Sequence, residues 1–232
     1  MNWKKRSSEK EIMDDLQLEG AELVQTLKEI DGINKWLGGF NSLMAKIDEV
    51  VSQSKGPVTI TDLGCGSGWL LKQLEKRKWE QVTLVGLDAN AAVIDYAQSN
   101  YKGKVQFVKS DVFEYMNSLS SETSNVLVSS LFCHHFKDEE LQQMMQIVEK
   151  KEAVFIVNDL QRNPLAFQLF KLVGFVFQLS NMAKVDGAIS IQRAFTKLDW
   201  EKLLSTFRPN NYSIEWKWAF RYLVVLDLRN RN

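Results

Sequence analysis

The densest cluster of chemistry-bearing residues in this chain is Asp62-Leu63-Gly64-Cys65-Gly66-Ser67-Gly68. It follows Gly56, Pro57 and a β-branched run, Val58-Thr59-Ile60-Thr61, and leads into the helical Trp69-Leu70-Leu71-Lys72-Gln73-Leu74. The order is strand, acidic corner, glycine loop, helix. Glycines at alternate positions let the backbone turn sharply and let a ligand approach the main chain where a Cβ would collide. The amides of the new helix's first turn face the same ligand. A dinucleotide-binding loop spaces its glycines Gly-x-Gly-x-x-Gly. Here Trp69 holds the third glycine's place, which argues against NAD.

Further polar residues fall where apolar runs end. Asp88 closes Val82 to Leu87, and Asp111 stands just beyond Val105 to Lys109. Each is either a ligand group, since a carboxylate accepts from two hydroxyls at once, or a cap for the following helix. Val126 to Leu131 runs into Phe132-Cys133-His134-His135-Phe136, which holds the only two histidines of the chain. Histidine is the natural general base near neutral pH. In extended chain the two rings would point to opposite sides, so one of them is expected to face a substrate. Asp159, Arg162 and Arg193 are candidates for polar contacts to that substrate, with surface or helix-end charge as the alternative. Cys65 and Cys133 sit in neither a metal-binding nor a disulfide spacing, and Cys65 reads as a small packing residue.

From Val58 onward, short apolar runs alternate with amphipathic helices, the signature of βα units and a parallel sheet. Five strands follow this rhythm, the last being Ala153 to Val157. In such open sheets ligands bind beyond the carboxyl ends of the strands. The helix after the fourth strand carries Leu141, Met144, Met145 and Val148 on one face, with Asp138, Glu139 and Glu140 in its first turn, where acids suit the dipole. Before the sheet, Leu16, Leu23, Leu27 and Ile30 suggest one amphipathic helix, and Asn41 is the expected cap of a second bearing Met44, Ile47, Val50 and Val51. Between them Trp36-Leu37-Gly38-Gly39-Phe40 is a paired-glycine hinge, either a simple helix-helix turn or part of a lid with Trp36 over the substrate.

After the fifth strand, Pro164 to about Gln178 is helical and rich in Phe, Leu and Val. It is too short and too interrupted by Gln168, Lys171 and Gln178 for a membrane span of about 20 residues. A buried or pocket-covering helix is favoured over membrane contact. Thr196-Lys197-Leu198-Asp199 reads as a capping box opening a helix that Pro209 stops. Tyr212 to Trp218 and Phe220 to Leu228 are two strands with no room for a helix between them, so they pair antiparallel.

The first motif, an acid followed by Gly-x-Gly-x-Gly, resembles that of the class I S-adenosylmethionine-dependent methyltransferases, strongly over residues 55–160. The resemblance implies an α/β, doubly wound, seven-stranded, mostly parallel sheet with an antiparallel C-terminal strand pair and an N-terminal helical lid. It implies a site for S-adenosylmethionine, with S-adenosylhomocysteine as product. Asp62, Gly64, Cys65, Gly66 and Gly68 form the loop, Asp88 with Ala89 binds the ribose, Asp111 with Val112 meets the adenine, and Ser130 and Leu131 end the fourth strand. Leu131-Phe132-Cys133-His134-His135-Phe136 looks like the Leu-His-His-Leu version found in small-molecule methyltransferases, and by that likeness His135 lies near the acceptor as catalytic base and His134 beside it.

The chain has 232 residues, enough for one domain with a sizeable core. Its expected parts are an N-terminal helical cap (1–54), a cofactor-binding core (55–160), a helical insert over the substrate site (161–195), and a last helix with the C-terminal strands (196–232). Twenty-nine basic side chains balance 29 acidic ones, which disfavours a nucleic-acid partner. Asn-Pro-Pro-Tyr, common in base and amide methyltransferases, is missing after the fourth strand. The expected acceptor is a small apolar or aromatic molecule, methylated at oxygen by preference. Methylation of a nucleic acid or protein, and cofactor binding without catalysis, are the alternatives. The start of the chain lacks the apolar run of a signal peptide, so a cytoplasmic monomer or homodimer without metal or membrane span is expected.

Overall fold

The computed structural model describes residues 3–120 and 123–229, and Met1, Asn2 and the last three residues of the predicted C-terminal part lie outside them. The strands are β1 (Val58–Leu63), β2 (Val82–Asp88), β3 (Gln106–Lys109), β4 (Ser124–Ser130), β5 (Val154–Leu160), β6 (Tyr212–Lys217) and β7 (Arg221–Asp227). They form one seven-stranded sheet in the order β3-β2-β1-β4-β5-β7-β6. β1 to β5 are mutually parallel, and β7 runs antiparallel to both β5 and β6. The predicted strands are all present, with ends shifted by at most three residues, the most at β5, which runs on from Val157 to Leu160. Val126, Leu127 and Val128 of β4, and Val154 to Val157 of β5, are almost completely buried, because a parallel sheet is covered on both faces.

The helices are α1 (Ala21–Trp36), α2 (Asn41–Ser52), α3 (Trp69–Glu75), α4 (Ala91–Ser99), α5 (Val112–Ser118), α6 (Asp138–Lys150), α7 (Pro164–Val176), α8 (Asn181–Arg193) and α9 (Lys197–Leu204). Local chemistry fixes several starts. Asn90 accepts from the Ala92 and Val93 amides to cap α4, Asn163 caps α7 ahead of Pro164, and Thr196 with Asp199 forms the expected box on α9. One core packs α5, α6 and α9 against the sheet around Met116, Met144, Phe155 and Trp200. The other packs α2, α3 and α4 around Leu43, Ile47, Ile60 and Leu71. The result is a three-layer sandwich that leaves the carboxyl ends of the parallel strands open for the remaining elements to roof.

Three expectations change. The first helix does not take in Leu16: Gly20 at φ +93° interrupts the chain, Leu16 is exposed, and Ile12–Asp14 makes a separate 3-10 turn. Asn41 is the first residue of α2 and Phe40 its cap, since the backbone is already helical at Phe40. The insert contains two helices, because Ser180 accepts from the Ala183 amide and starts α8. It is a closed excursion: Gln161 and Phe195 form a parallel bridge, and the Arg162 amide donates to Phe195 O.

Candidate active site

Beyond the carboxyl ends of β1, β2 and β4 lies a cavity of about 630 Å³. Its lining includes Asp62, Gly64, Cys65 and Gly66 of the loop, Asp88 and Ala89, Asp111 and Val112, and Ser130 and Leu131. Every predicted cofactor residue except Gly68 therefore reaches one space. Gly68 sits at the helix entry with φ +70°. Gly64 and Gly66 are also left-handed, at φ +69° and +51°, a conformation that costs a side chain strain. A Cβ on Gly64 would collide with the Phe132 ring. Gly64→Ala is therefore expected to lose about 1–3 kcal/mol of stability and to displace Phe132 over the loop. Thermal melting of the variant checks this, and an unchanged midpoint contradicts the tight fit.

The loop's electrostatics suit a cationic ligand. Asp62 is 3% exposed, and its Oδ1 has no partner within the protein. Burial, and then the neighbouring charge of Asp88, push its carboxyl up to about 8. Asp88 Oδ1 accepts from the Asn90 amide at 3.0 Å and Oδ2 from the Gly66 amide at 3.4 Å, while burial raises its pKa. A glycine cradle, an orphaned buried carboxylate oxygen and a second carboxylate at the next strand end fit S-adenosylmethionine, whose sulfonium and amino groups are positive and whose ribose is a diol. Asp111 performs the alternative role as well: its Oδ1 caps α5 by accepting from Phe113 and Glu114.

Opposite the loop, Cys133–His135 is a 3-10 turn and not extended chain. The two imidazoles therefore do not diverge. Their centroids are 4.4 Å apart at 31°, and both meet the acids of the N-terminal segment. His134 is buried, with Nδ1 2.7 Å from Asp159 Oδ1 and Nε2 3.5 Å from Glu11 Oε1. Burial works to lower its pKa, but Asp159 and Glu11 outweigh it and hold the ring up to about 10. His135 is partly open, with Nδ1 2.6 Å from Asp14 Oδ1. Glu11, His134 and His135 have ligand atoms within 4.8 Å of one another. Arg193 Nη1, however, lies 3.5 Å from Glu11 Oε1, and the protein supplies the positive charge there itself.

The predicted substrate contacts divide. Trp36 lines the cavity. Asp159 is fully buried and occupied with His134. Arg193 donates to His134 O, His135 O and Asp14, and so builds the histidine turn instead of facing the cavity. Arg162 turns away altogether, donating to Trp3 O and Ala194 O and pairing with Asp199 at 2.9 Å.

Several residues that sequence reasoning missed now line the site. Glu11 and Asp14 come from a segment without periodicity, Asp31 from a helix read only for its apolar face, and Asp186 from α8, which the sequence reading did not separate from the rest of the insert. Asp31 accepts from Ser67 Oγ at 2.6 Å, tying α1 to the glycine loop. Asp186 accepts from the Ile12 and Met13 amides, tying the N-terminal segment to α8. Arg221, at the start of β7, is buried, donates to Asn34 and is pushed down to about 10 by burial. No local pattern marks any of these, because each depends on contacts far along the chain.

Comparison with known proteins agrees with this geometry. A family model described as a methyltransferase domain matches residues 60–151. The malonyl-[acyl-carrier protein] O-methyltransferase of Halalkalibacterium halodurans is 29% identical over 92 residues, 38% of this chain and 34% of that protein. The chain thus matches about a third of the length of that curated relative. Among solved structures, the plantazolicin methyltransferase BpumL, in complex with a triazolic desmethylPZN analog and SAH, superposes with a TM-score of 0.65 at 18% identity, covering 88% of this chain and 90% of that one. Human N-acetylserotonin methyltransferase with SAM gives 0.50 at 15% identity, covering 74% and 48%. Among the described residues, no helix is long and apolar enough to cross a membrane. Residues 60–151 match a methyltransferase domain, in a chain with the fold of the class I S-adenosylmethionine-dependent methyltransferases.

Proposed function

We propose that this protein transfers the methyl group of S-adenosylmethionine to a small apolar or aromatic acceptor in the cytoplasm, at oxygen by preference. The observation that carries the reading is a single cavity with the Asp62 to Gly68 loop and Asp88 on one side and a broad apolar wall, including Leu23, Leu27, Ile30, Phe132 and Phe170, on the other. The names of its relatives, an O-methyltransferase and an N-acetylserotonin methyltransferase, support a small-molecule acceptor. The N-terminal cap (1–54) and the insert (161–195) are read as the parts that enclose this acceptor.

When bound, S-adenosylmethionine supplies an already activated methyl group on a sulfonium. Asp88 and the loop amides hold the donor, and Asp111 and Val112 flank its base. The cavity walls exclude water and place the acceptor in line, which removes much of the barrier. His135 takes the acceptor proton. Asp14 occupies its Nδ1, which leaves Nε2 for the hydroxyl. The acceptor oxygen gains the methyl, the proton goes to Nε2, and the donor sulfur is left as a neutral thioether. Glu11, Asp159 and Arg193 fix the turn that presents this ring.

Two measurements test the reading. Isotopically labelled S-adenosylmethionine with a panel of lipophilic phenols and hydroxy acids should label at least one of them. Binding of the donor without transfer to any acceptor favours a non-catalytic role. His135→Gln should lower kcat roughly tenfold to a hundredfold with cofactor affinity within about twofold. Full activity removes the base assignment.

A further inference from the structure

The outward face of α7 should not be apolar if α7 merely roofs a pocket in water. On its inward side Ala166 and Phe167 pack with Ile191, and Gly174 is buried beside Lys184 and Leu179. Leu165, Leu169, Leu172 and Val176, spaced i, i+4, i+7, i+11, form a stripe that faces solvent instead. Phe175 beside it is 78% exposed. The stripe continues at the helix end, where the Phe177 and Trp36 rings lie 5.2 Å apart. Across the cavity the β6–β7 turn adds Trp218, 71% exposed. A contiguous exposed patch of this kind marks an interaction surface.

Two features say what covers it. Leu169, Leu172, Trp36 and Trp218 are exposed and also line the cavity, so the patch surrounds the cavity's mouth. A protein bound there would stopper the site, whereas a lipid surface leaves the mouth opening into an apolar medium. The charges agree. The only charged residue of α7 is Lys171, whose Nζ lies 4.8 Å from the Phe167 ring centroid at the edge of the packed side, Lys184 lays its stem over Gly174 on that same side, and exposed Lys35 precedes Trp36. The acids of the adjoining helix faces are committed inward: Glu29 accepts from Ser180, Asp31 from Ser67, and Asp186 from the Ile12 and Met13 amides. Lysines around an apolar face with tryptophans at its margin match an anionic bilayer interface.

We propose that this face docks on an anionic lipid surface, with α7 lying in the interface and the cavity mouth opening toward the acyl layer. The acceptor is then a lipophilic molecule taken directly from the bilayer. This last clause rests on the methyl-transfer reading, while the docking itself does not.

The test uses the full chain without donor or acceptor. It should co-float with vesicles of phosphatidylcholine containing about 30 mol % phosphatidylglycerol, and more weakly with phosphatidylcholine alone. Phe175→Glu/Val176→Glu changes two exposed residues outside the cavity lining, so its melting temperature and cofactor affinity should match the wild type while vesicle affinity falls at least about tenfold. Wild-type protein that stays with the aqueous fraction on both vesicle types overturns the proposal. So does self-association in sedimentation velocity that the double substitution abolishes, because the face then belongs to a second copy. Vesicle binding without methyl transfer to any acceptor would retain the docking surface and reject the catalytic reading.

Discussion

Replacing Asp88 with alanine raises the dissociation constant for S-adenosylmethionine about 10²- to 10⁴-fold. The estimate follows from two charge-assisted hydrogen bonds to a ribose diol, each worth roughly 1.5–3 kcal/mol. The free protein does not depend on Asp88 in the same way. Its carboxylate is half-buried, raised in pKa by desolvation, and set against Asp62, so removing it relieves repulsion and the ligand-free melting temperature should not fall. The separation matters because Asp88 also accepts from the Gly66 and Asn90 amides, and a collapsed loop would lose affinity for a different reason. Asp88→Asn keeps one acceptor oxygen for those amides and loses the charge, so it should fall between wild type and alanine. Calorimetric affinity unchanged in Asp88→Ala removes the ribose assignment.

The half of the site made by the parallel strands was legible in the sequence because its signals are local. Asp62 to Gly68, Asp88 and Asp111 each lie where an apolar run ends, and strand alternation alone puts those ends on one edge of the sheet. Asp111 shows the limit of such reading: it caps α5 and lines the cavity at once, and no sequence pattern distinguishes the roles. The half that faces the acceptor was not legible. Extended chain would set the rings of His134 and His135 on opposite sides, but Phe136 N donates to Cys133 O and winds the segment into a turn. What holds the turn, Arg6, Arg193, Glu11 and Asp14, comes from positions more than a hundred residues before it or tens after. Arg162 and Arg193 read in the sequence as candidates for polar contact to a substrate, with surface or helix-end charge as the alternative. Both became braces, since a guanidinium satisfies several backbone carbonyls where an insert rejoins the core.

Asp62 makes the ligand-free protein less stable as pH rises, and the cofactor should reverse much of that loss. Burial first and Asp88 second push its carboxyl from an ordinary 3.8 to about 8. Between those values the folded chain holds a proton that the unfolded chain has released, so stability falls with rising pH across this window and levels off above about 8. A shift of this size corresponds to on the order of 5 kcal/mol accumulated over the window. His134, held up to about 10 by Asp159 and Glu11, adds a decline in the same direction from its ordinary value near 6.5 upward. Asp62→Asn removes the first contribution and leaves the second. The variant's melting temperature should therefore fall less than that of the wild type as pH rises from about 4 to 8, and be higher than wild type at pH 8. A positively charged donor beside Asp62 favours the carboxylate, so binding near neutral pH releases a proton and affinity rises with pH until about 8. Calorimetry at pH 7 in two buffers of different ionisation enthalpy reads that proton directly. Equal proton release by wild type and Asp62→Asn would show that another group titrates on binding. In the expected case the substitution gains stability and loses affinity together, because the loop's unpaired carboxylate is a strain on the empty protein that the donor's charge relieves.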